Sequence, residues 1–552
     1  MQGTHQGRSA RLWVATFATS LLYAAAHPPW SWWPLALLAV APVSAVLLDA
    51  RAPVPWPRAA WAGFVFGVVT TYLLVGHWSW LAAREFFADS PLAALGFTAS
   101  LPLIASGIAL HYAIAFALVA RLAGLGAMAG VVGSAALWAA TELARTSLGY
   151  GNPWGAFAAA LISADGTLSG FRAETPVAGL LALGGPPLVA LLAAATGASL
   201  GLAWTERRSV VARGRALAAG ATVFLLCAAA SHAGLAWLPL RSDAAVPREP
   251  LRVALVQPGF GKSRLWQRAG AAESFDSQVK LTQGFETRGA DLIVWPENAL
   301  PFLLDANVDK RDVLRALARD RGAALLVGGS RSSVGDDGST NVFNSAFLFP
   351  ADGSEPLVYD KRILLPFIER VPGWAAPFLA SSWQGAFTAG RAPKRPAATS
   401  GSSEWTTTDL FTIKGWRIAP LLCFEAIYPG EVAARVAEGA DLLVNLSNDS
   451  WFDAGAGPEQ HFSLAMLAAA ETRRPLLRVA TTGVSALVAE DGLVSWRLPV
   501  RTGAVALLDV VPPRRDSLFV RGGRSGFALS VILVAIAAAA LPGRARRAGE
   551  SP

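Results

Sequence analysis

From Arg11 to about Leu235 the chain alternates long apolar runs with short interruptions, and a helix needs about 20 apolar residues to cross a bilayer. Spans are expected near Leu12–Ala26, Trp33–Leu48, Ala60–Leu81, Ala93–Val119, Ala127–Leu143, Pro176–Trp204 and Ala216–Leu235, with a last one at Phe527–Ala540. That makes about eight spans, seven before a long polar region and one after it. The sixth contains Gly184-Gly185-Pro186-Pro187, which leaves its start open. Arg8 and Arg11 before the first run resemble a secretory signal, but the exit His27-Pro28-Pro29-Trp30 lacks a small-residue cleavage site, so the run reads as a membrane helix.

The polar region has a different period. Short β-rich runs at Leu251–Val256, Leu292–Trp295, Ala324–Gly328, Val342–Phe349 and Leu476–Ala480 alternate with helix-compatible stretches at Ala271–Thr287, Lys310–Arg321 and Glu459–Arg474. This pattern predicts a layered α/β domain. Ala389–Ser403, rich in Gly, Pro, Ser and Arg, reads as a mobile loop. The boundaries follow: a membrane domain over 1–240, an α/β domain over 241–520, and a last helix with its tail over 521–552.

Composition supports lipid exposure, because hydrophobic residues make up 53%, charged residues 16%, and mean hydropathy is +0.41. The net charge of +8 does not point to nucleic acid, since the arginines lie beside apolar spans rather than on a basic face with interleaved aromatics. Arg8, Arg11, Arg51, Arg58, Arg121, Arg207, Arg208, Arg213, Arg215, Arg544, Arg546 and Arg547 fall on one side if the spans alternate. That side is expected to be cytoplasmic, which puts both termini there and the α/β domain outside. Arg145 is assigned to the opposite loop between spans five and six. Trp30, Trp32, Trp33, Trp78 and Trp80 suit the membrane interface.

Only two cysteines occur, Cys227 inside an apolar run and Cys423, so no disulfide framework is implied. Cys423 ends the apolar run Ile418–Leu422 and opens into a helix-compatible stretch, which sets a thiol at a strand end. A second strand, Asp441–Leu446, empties into Ser447-Asn448-Asp449-Ser450-Trp451. Upstream, Trp295-Pro296-Glu297 closes a strand with a carboxylate and Tyr359-Asp360-Lys361 brings an amine. Each alone has a bland reading: an exposed turn carboxylate, a solvated lysine, a small buried cysteine. Together they form a coherent set, in which Glu297 moves the thiol proton, Lys361 steadies an oxyanion and Cys423 attacks. His461 offers a competing Cys-His pair. Neither zinc spacing nor a phosphate loop is found, so no metal or cofactor is expected.

At these motifs the chain resembles the nitrilase superfamily, whose Glu-Lys-Cys triad is matched by Glu297, Lys361 and Cys423. With the flanking spans, and with Trp33-Pro34-Leu35-Ala36, Asn152-Pro153-Trp154, Glu369-Arg370-Val371-Pro372, Asn445–Phe452, Gln460-His461-Phe462 and Thr481-Thr482-Gly483-Val484, it is similar over almost its whole length to the apolipoprotein N-acyltransferase family. The resemblance implies an α-β-β-α sandwich on the periplasmic face of a bacterial inner membrane. It implies a ping-pong transfer of an acyl chain from a phospholipid, typically phosphatidylethanolamine, through a Cys423 thioester to the α-amine of a diacylglyceryl-modified apolipoprotein cysteine. Glu369 and Glu425 would orient the lysine and shape the pocket. Asn445, Ser447, Asn448 and Asp449 would build its walls, and Trp451 would line an acyl path. Phe424 stands where the family commonly has Tyr, and Asn298 where it frequently has Thr. Two other readings stay open: a membrane-anchored amidohydrolase or thioesterase that gives the acyl group to water, and a non-catalytic membrane scaffold that kept the fold.

Overall fold

The computed structural model describes residues 2–86, 91–147, 152–162, 176–237, 249–259, 268–300, 302–334, 340–364, 369, 406–452, 455–513, 515–522 and a few positions between 528 and 536. Ala389–Ser403 and most of Phe527–Ala540 lie outside them. The chain forms two compact units, one of residues 1–239, 454–471 and 516–552 and one of residues 240–453 and 472–515.

The first unit is helical. Among the described residues, Trp56–Arg84, Ala127–Ser147, Pro186–Thr205 and Val210–His232 are long and apolar enough to cross a membrane. Helices also occupy Gln2–Ala25 and Pro91–Ala120. The second expected span is instead two short helices, Pro34–Leu38 and Ala41–Leu47. Nor is the sixth continuous, for Pro176–Gly184 and Pro186–Thr205 are separated at Gly185, whose φ of 74° suits only a residue without a Cβ, and the prolines behind it cannot prolong the preceding helix. Small residues set helix spacing where lipid supplies no hydrophobic drive: a Cβ on Gly63 would lie 2.2 Å from the Tyr112 carbonyl oxygen, and one on Gly67 2.5 Å from Ala109 Cα.

Arg145 is not a loop charge. It lies inside the helix Ala127–Ser147, buried and paired with Glu142 at 3.1 Å, and its Nη1 donates to the carbonyls of Asn152 and Trp154 at 3.1 and 2.8 Å. A buried arginine must be paired, and here its spare donors tie down a turn that has no ladder of its own. The helix Gly457–Thr472 comes from the polar region but packs in this unit. Gln460 accepts from the indoles of Trp78 and Trp154 at 3.0 and 2.7 Å and donates to the carbonyls of Pro28 and Leu74 at 2.8 and 2.9 Å. Beside it His461 stacks on Trp154, with ring centroids 5.9 Å apart.

Among the described residues, the second unit is built on thirteen strands. These are β1 (Leu251–Gln257), β2 (Leu292–Val294), β3 (Ala324–Val334), β4 (Thr340–Phe349), β5 (Leu357–Asp360), β6 (Thr406–Thr407), β7 (Phe411–Ile413), β8 (Trp416–Leu422), β9 (Leu442–Ser447), β10 (Leu476–Ala480), β11 (Ala486–Val488), β12 (Val494–Arg497) and β13 (Ala504–Val510). One sheet runs β13-β1-β2-β3-β4-β5-β6 and the other β12-β11-β10-β9-β8-β7. Their facing sides share one core, in which Val253, Leu255, Val294 and Leu326 meet Ile418, Leu422, Val444 and Leu446. Helices cover the outer faces: Phe275, Leu314 and Leu317 pack on Ile293 and Leu325 of the first sheet, and Pro429–Ala437 packs on β8 of the second. The expected α-β-β-α layering is therefore observed.

Parallel pairing of β1, β2 and β3, and of β8, β9 and β10, sends consecutive strand ends to the same edge of each sheet. Such edges are where α/β sheets collect polar chemistry. β3 passes so close to the end of β2 that a Cβ on Gly328 would stand 2.6 Å from both Glu297 Cα and the Pro296 carbonyl oxygen. Because both neighbours are backbone, neither can yield. Gly328→Ala is expected to cost about 1–3 kcal/mol and to displace Glu297. Thermal unfolding of the full-length variant in detergent checks this, and an unchanged melting temperature would refute the close approach.

Candidate active site

Three strand ends deliver the expected side chains to one buried cluster. Behind β2 the Trp295 ring is fully buried, its indole donates to Thr282 Oγ1 at 2.9 Å, and Gly328 N–H donates to the Pro296 carbonyl at 3.2 Å. That pinned turn, in which Asn298 takes φ of 53°, aims Glu297 inward. Behind β5, Lys361 N–H donates to the Asn344 carbonyl at 2.8 Å. The neighbouring Asp360 is held by Arg331 at 2.6 and 2.9 Å, so the lysine starts from a fixed backbone. Cys423 follows β8 with φ of 49°. For a residue with a Cβ this left-handed geometry costs about 1–2 kcal/mol, and it turns the thiol out of the strand as the chain enters the short helix Cys423–Ile427.

Lys361 Nζ donates to Glu297 Oε1 at 2.8 Å and to Glu369 Oε1 at 2.9 Å. Asn344 Nδ2 bridges the same two oxygens at 2.8 and 2.9 Å. Asn448 N–H reaches Glu297 Oε2 at 3.1 Å. Burial works against the charge on Lys361, but the carboxylates of Glu297 and Glu369 and the neighbouring Cys423 outweigh it and hold its pKa well above the ordinary lysine value. Burial is also the main influence on Cys423, and with Glu297 and Asp449 nearby it lifts the thiol above the ordinary range despite Lys361 and a bond from Ser447 Oγ at 3.6 Å. These influences favour the neutral thiol, the form that needs a base before it can act as a nucleophile.

Glu425 has a different position from the one expected. It makes no bond to the Lys361 amine among the described contacts; instead it accepts from Leu422 N–H at 2.8 Å, Arg362 N–H at 2.6 Å, Ile363 N–H at 3.1 Å and Tyr359 Oη at 3.0 Å. One carboxyl thus ties the backbone beside Cys423 to the backbone beside Lys361. Burial raises it to about 7, while the bonds from Leu422 and Arg362 pull the other way. Of the two supporting carboxylates, Glu369 is the one that touches the lysine.

Asn445, Ser447 and Asp449 are fully buried and brace the thiol turn from behind. Asn445 Nδ2 donates to the carbonyls of Leu421 and Cys423 at 2.9 and 3.1 Å. Asp449 pairs with Arg478 at 2.8 Å, and a Cβ on Gly483 would fall 1.9 Å from Asp449 Oδ2, so that glycine leaves room for the carboxylate. Asn448 Oδ1 accepts from Ser450 Oγ and Thr481 Oγ1 at 2.6 and 2.8 Å. The half-buried Phe424 sets its ring edge-on to Tyr428 at 5.3 Å. Trp451 belongs to the short helix Asp449–Phe452, and its side chain lies outside the described residues.

Three members of this constellation carried no assigned role in the sequence: Asn344, Tyr359 and Arg478. Asn344 sits in Phe343-Asn344-Ser345, a polar pair within an otherwise apolar strand end, and Arg478 is a lone charge inside the buried run Leu476–Ala480. A charged residue in a fully buried strand has to be paired, and for Arg478 that was the available signal.

The cluster holds a thiol whose electrostatic neighbours are a carboxylate and a charged amine, themselves paired at 2.8 Å, and these are residue types suited to acyl transfer through a covalent intermediate. Comparison with known proteins gives the family. Residues 252–514 match the carbon-nitrogen hydrolase family and residues 19–199 the apolipoprotein N-acyltransferase N-terminal domain. The chain is 32% identical to an apolipoprotein N-acyltransferase of Azotobacter vinelandii, covering 98% of this chain and 96% of that one. It is 31% identical to a Brucella suis protein of the same name, covering 84% and 81%. An amidase from Nesterenkonia sp. is 18% identical, with 52% of this chain and 99% of that one covered and a TM-score of 0.33. The chain belongs to the apolipoprotein N-acyltransferase family, acyltransferases of the carbon-nitrogen hydrolase superfamily.

Proposed function

We propose that this protein moves an acyl chain from a phospholipid, such as phosphatidylethanolamine, to the α-amine of the S-diacylglyceryl-cysteine at an apolipoprotein N-terminus, through a thioester on Cys423. The observation that carries this reading is the buried contact of Lys361 with Glu297 at 2.8 Å beside a thiol held at a left-handed turn, in a chain matching a named family member over 98% of its length.

Glu297 removes the Cys423 proton and the sulfur attacks the ester carbonyl. The developing oxyanion faces Lys361, which stays protonated because Glu297 and Glu369 hold its proton. Lysophospholipid leaves with the proton from Glu297. The acceptor amine then attacks the thioester, passes its proton back through Glu297 and restores the thiol. Both substrates are lipid-anchored, and confining them to one bilayer surface removes much of the entropic cost of meeting. About eight spans would provide that platform, with both termini cytoplasmic and the α/β domain over 241–520 on the periplasmic side of the inner membrane.

Incubation of full-length protein in detergent with labelled phospholipid and a diacylated lipopeptide tests the proposal. Wild type is expected to form a labelled thioester and then labelled lipopeptide, and Cys423→Ala to lower transfer by at least about a thousandfold. Label recovered only as free fatty acid would establish the hydrolase instead, and equal transfer by the variant would remove Cys423 from the mechanism. A second expectation concerns Asn344, whose replacement by Asp sets a third carboxyl against Glu297 and Glu369. Asn344→Asp should slow thioester formation about tenfold, with partial recovery as acid protonates the new group. A rate like that of wild type across the pH range would contradict the bridging role. Reporter fusions at Arg207 and Arg544 should both report the cytoplasm; either one reporting the periplasm breaks the topology.

A further inference from the structure

Ser447 stands between the thiol and a buried ion pair that the acyl-transfer steps do not use. Its hydroxyl lies 3.6 Å from Cys423 Sγ, 2.8 Å from Asp449 Oδ1 and 3.0 Å from Arg478 Nη2. A guanidinium has donors only, so the Arg478 contact must end on a lone pair of the serine oxygen. The single serine proton is then left with two possible acceptors, Asp449 and the sulfur. Arg478 is itself locked in place: Nε donates to the Val484 carbonyl at 3.2 Å, Nη1 to Asn445 Oδ1, and Nη2 to both oxygens of Asp449 at 2.8 and 2.9 Å.

We propose that Ser447 is a positioning residue whose hydroxyl, polarised by Arg478, donates its hydrogen bond to Asp449 while Cys423 is a thiol and redirects it to Sγ when the sulfur becomes anionic. The inference rests on Cys423 being the nucleophile. Beside a neutral thiol the shorter bond to a carboxylate wins. Once Glu297 has taken the sulfur proton, a full negative charge appears 3.6 Å away and competes for the same hydroxyl. Asp449 loses little by the exchange, because both its oxygens keep Arg478. Arg478 and Asp449 thus form a fixed anchor around which one hydroxyl rotates, and no bond is made or broken by the serine itself.

The other charges around the sulfur are Glu297 behind β2, Lys361 behind β5 with Glu369 against it, Asp449 behind β9, Arg478 on β10, and Glu425 on the thiol's own turn. Of the groups that act on the thiol directly, Glu297 and Asp449 disfavour its ionisation, while Lys361 and the Ser447 bond favour it. Removing the hydroxyl must therefore shift the reactivity of the cluster to higher pH.

The test uses full-length protein in detergent and 4-nitrophenyl butyrate. The sulfur attacks the ester carbonyl, the bond to nitrophenolate breaks, and a butyryl thioester is left on Cys423. Nitrophenolate release and intact mass are followed in single turnover across pH. Ser447→Ala is expected to move the alkaline midpoint up by about one pH unit and to slow acylation about tenfold at neutral pH, the size of one hydrogen bond to a charged group. Ser447→Thr, which keeps the hydroxyl, should return the midpoint to that of wild type. A Ser447→Ala profile that superimposes on wild type overturns the proposal. So does a Ser447→Thr protein that melts like wild type yet shifts as Ser447→Ala does, since packing rather than the hydroxyl would then be responsible. Wild type that forms no adduct on Cys423 at any pH would fail at the earlier step, the nucleophile assignment, and take this inference with it.

Discussion

The site depends on keeping a lysine charged where water is excluded. Lys361 and Glu297 are both almost fully buried, and each ion removed from water costs several kcal/mol that attraction offsets only when the geometry is close and the remaining donors are used. The structure meets that demand by doubling every contact: Glu297 and Glu369 share Lys361, and Asn344 bridges the same two carboxylates. Such a cluster tolerates little displacement, which explains why the strand ends around it are so constrained. Gly328 brings β3 against the Glu297 turn, and Glu425 bonds the backbone on both sides of the gap between Lys361 and Cys423.

The parts legible in the sequence share one property, burial on both faces of a sheet. Strands such as β1, β8, β9 and β10 show as mostly apolar runs, and the polar residues just past β2, β5 and β8 include Glu297, Lys361 and Cys423. Short or half-exposed strands carry no such signal, and β7, β11, β12 and β13 were not anticipated. Partners were harder still. Asn344 is 47 residues from Glu297 and Arg478 is 29 from Asp449, distances at which no local pattern connects them.

The helical unit repeats that lesson in another solvent. Hydropathy located the long runs, but it could not see that Gly185 breaks one of them, nor that Arg145 continues a helix rather than ending it. Hydropathy measures transfer of side chains to lipid, whereas Arg145 is stabilised by Glu142 and by carbonyls of a turn that follows it. The helix Gly457–Thr472 shows the same limit, because the sequence that follows a strand does not reveal which unit its buried residues will join.

The thiol and the lysine carry opposite protonation logic, and the difference suits a site that waits. A buried, protonated Cys423 is a poor target for oxidants, which react with thiolates, and in the proposed extracytoplasmic position a permanently ionised sulfur would be at risk of oxidation between substrates. Lys361, pinned as a cation by two carboxylates, is charged before any substrate arrives and needs no reorganisation when an oxyanion forms. The proposed mechanism thereby places reactivity on one proton, that of the Cys423 thiol, which Glu297 would receive. The charges that surround it, Lys361, Glu369, Asp449 and Arg478, are each tied by two or more bonds. In the proposed reaction, a fixed framework and a single labile proton would let one site run both half-reactions, with the carboxylate that receives the thiol proton in the first returning one in the second.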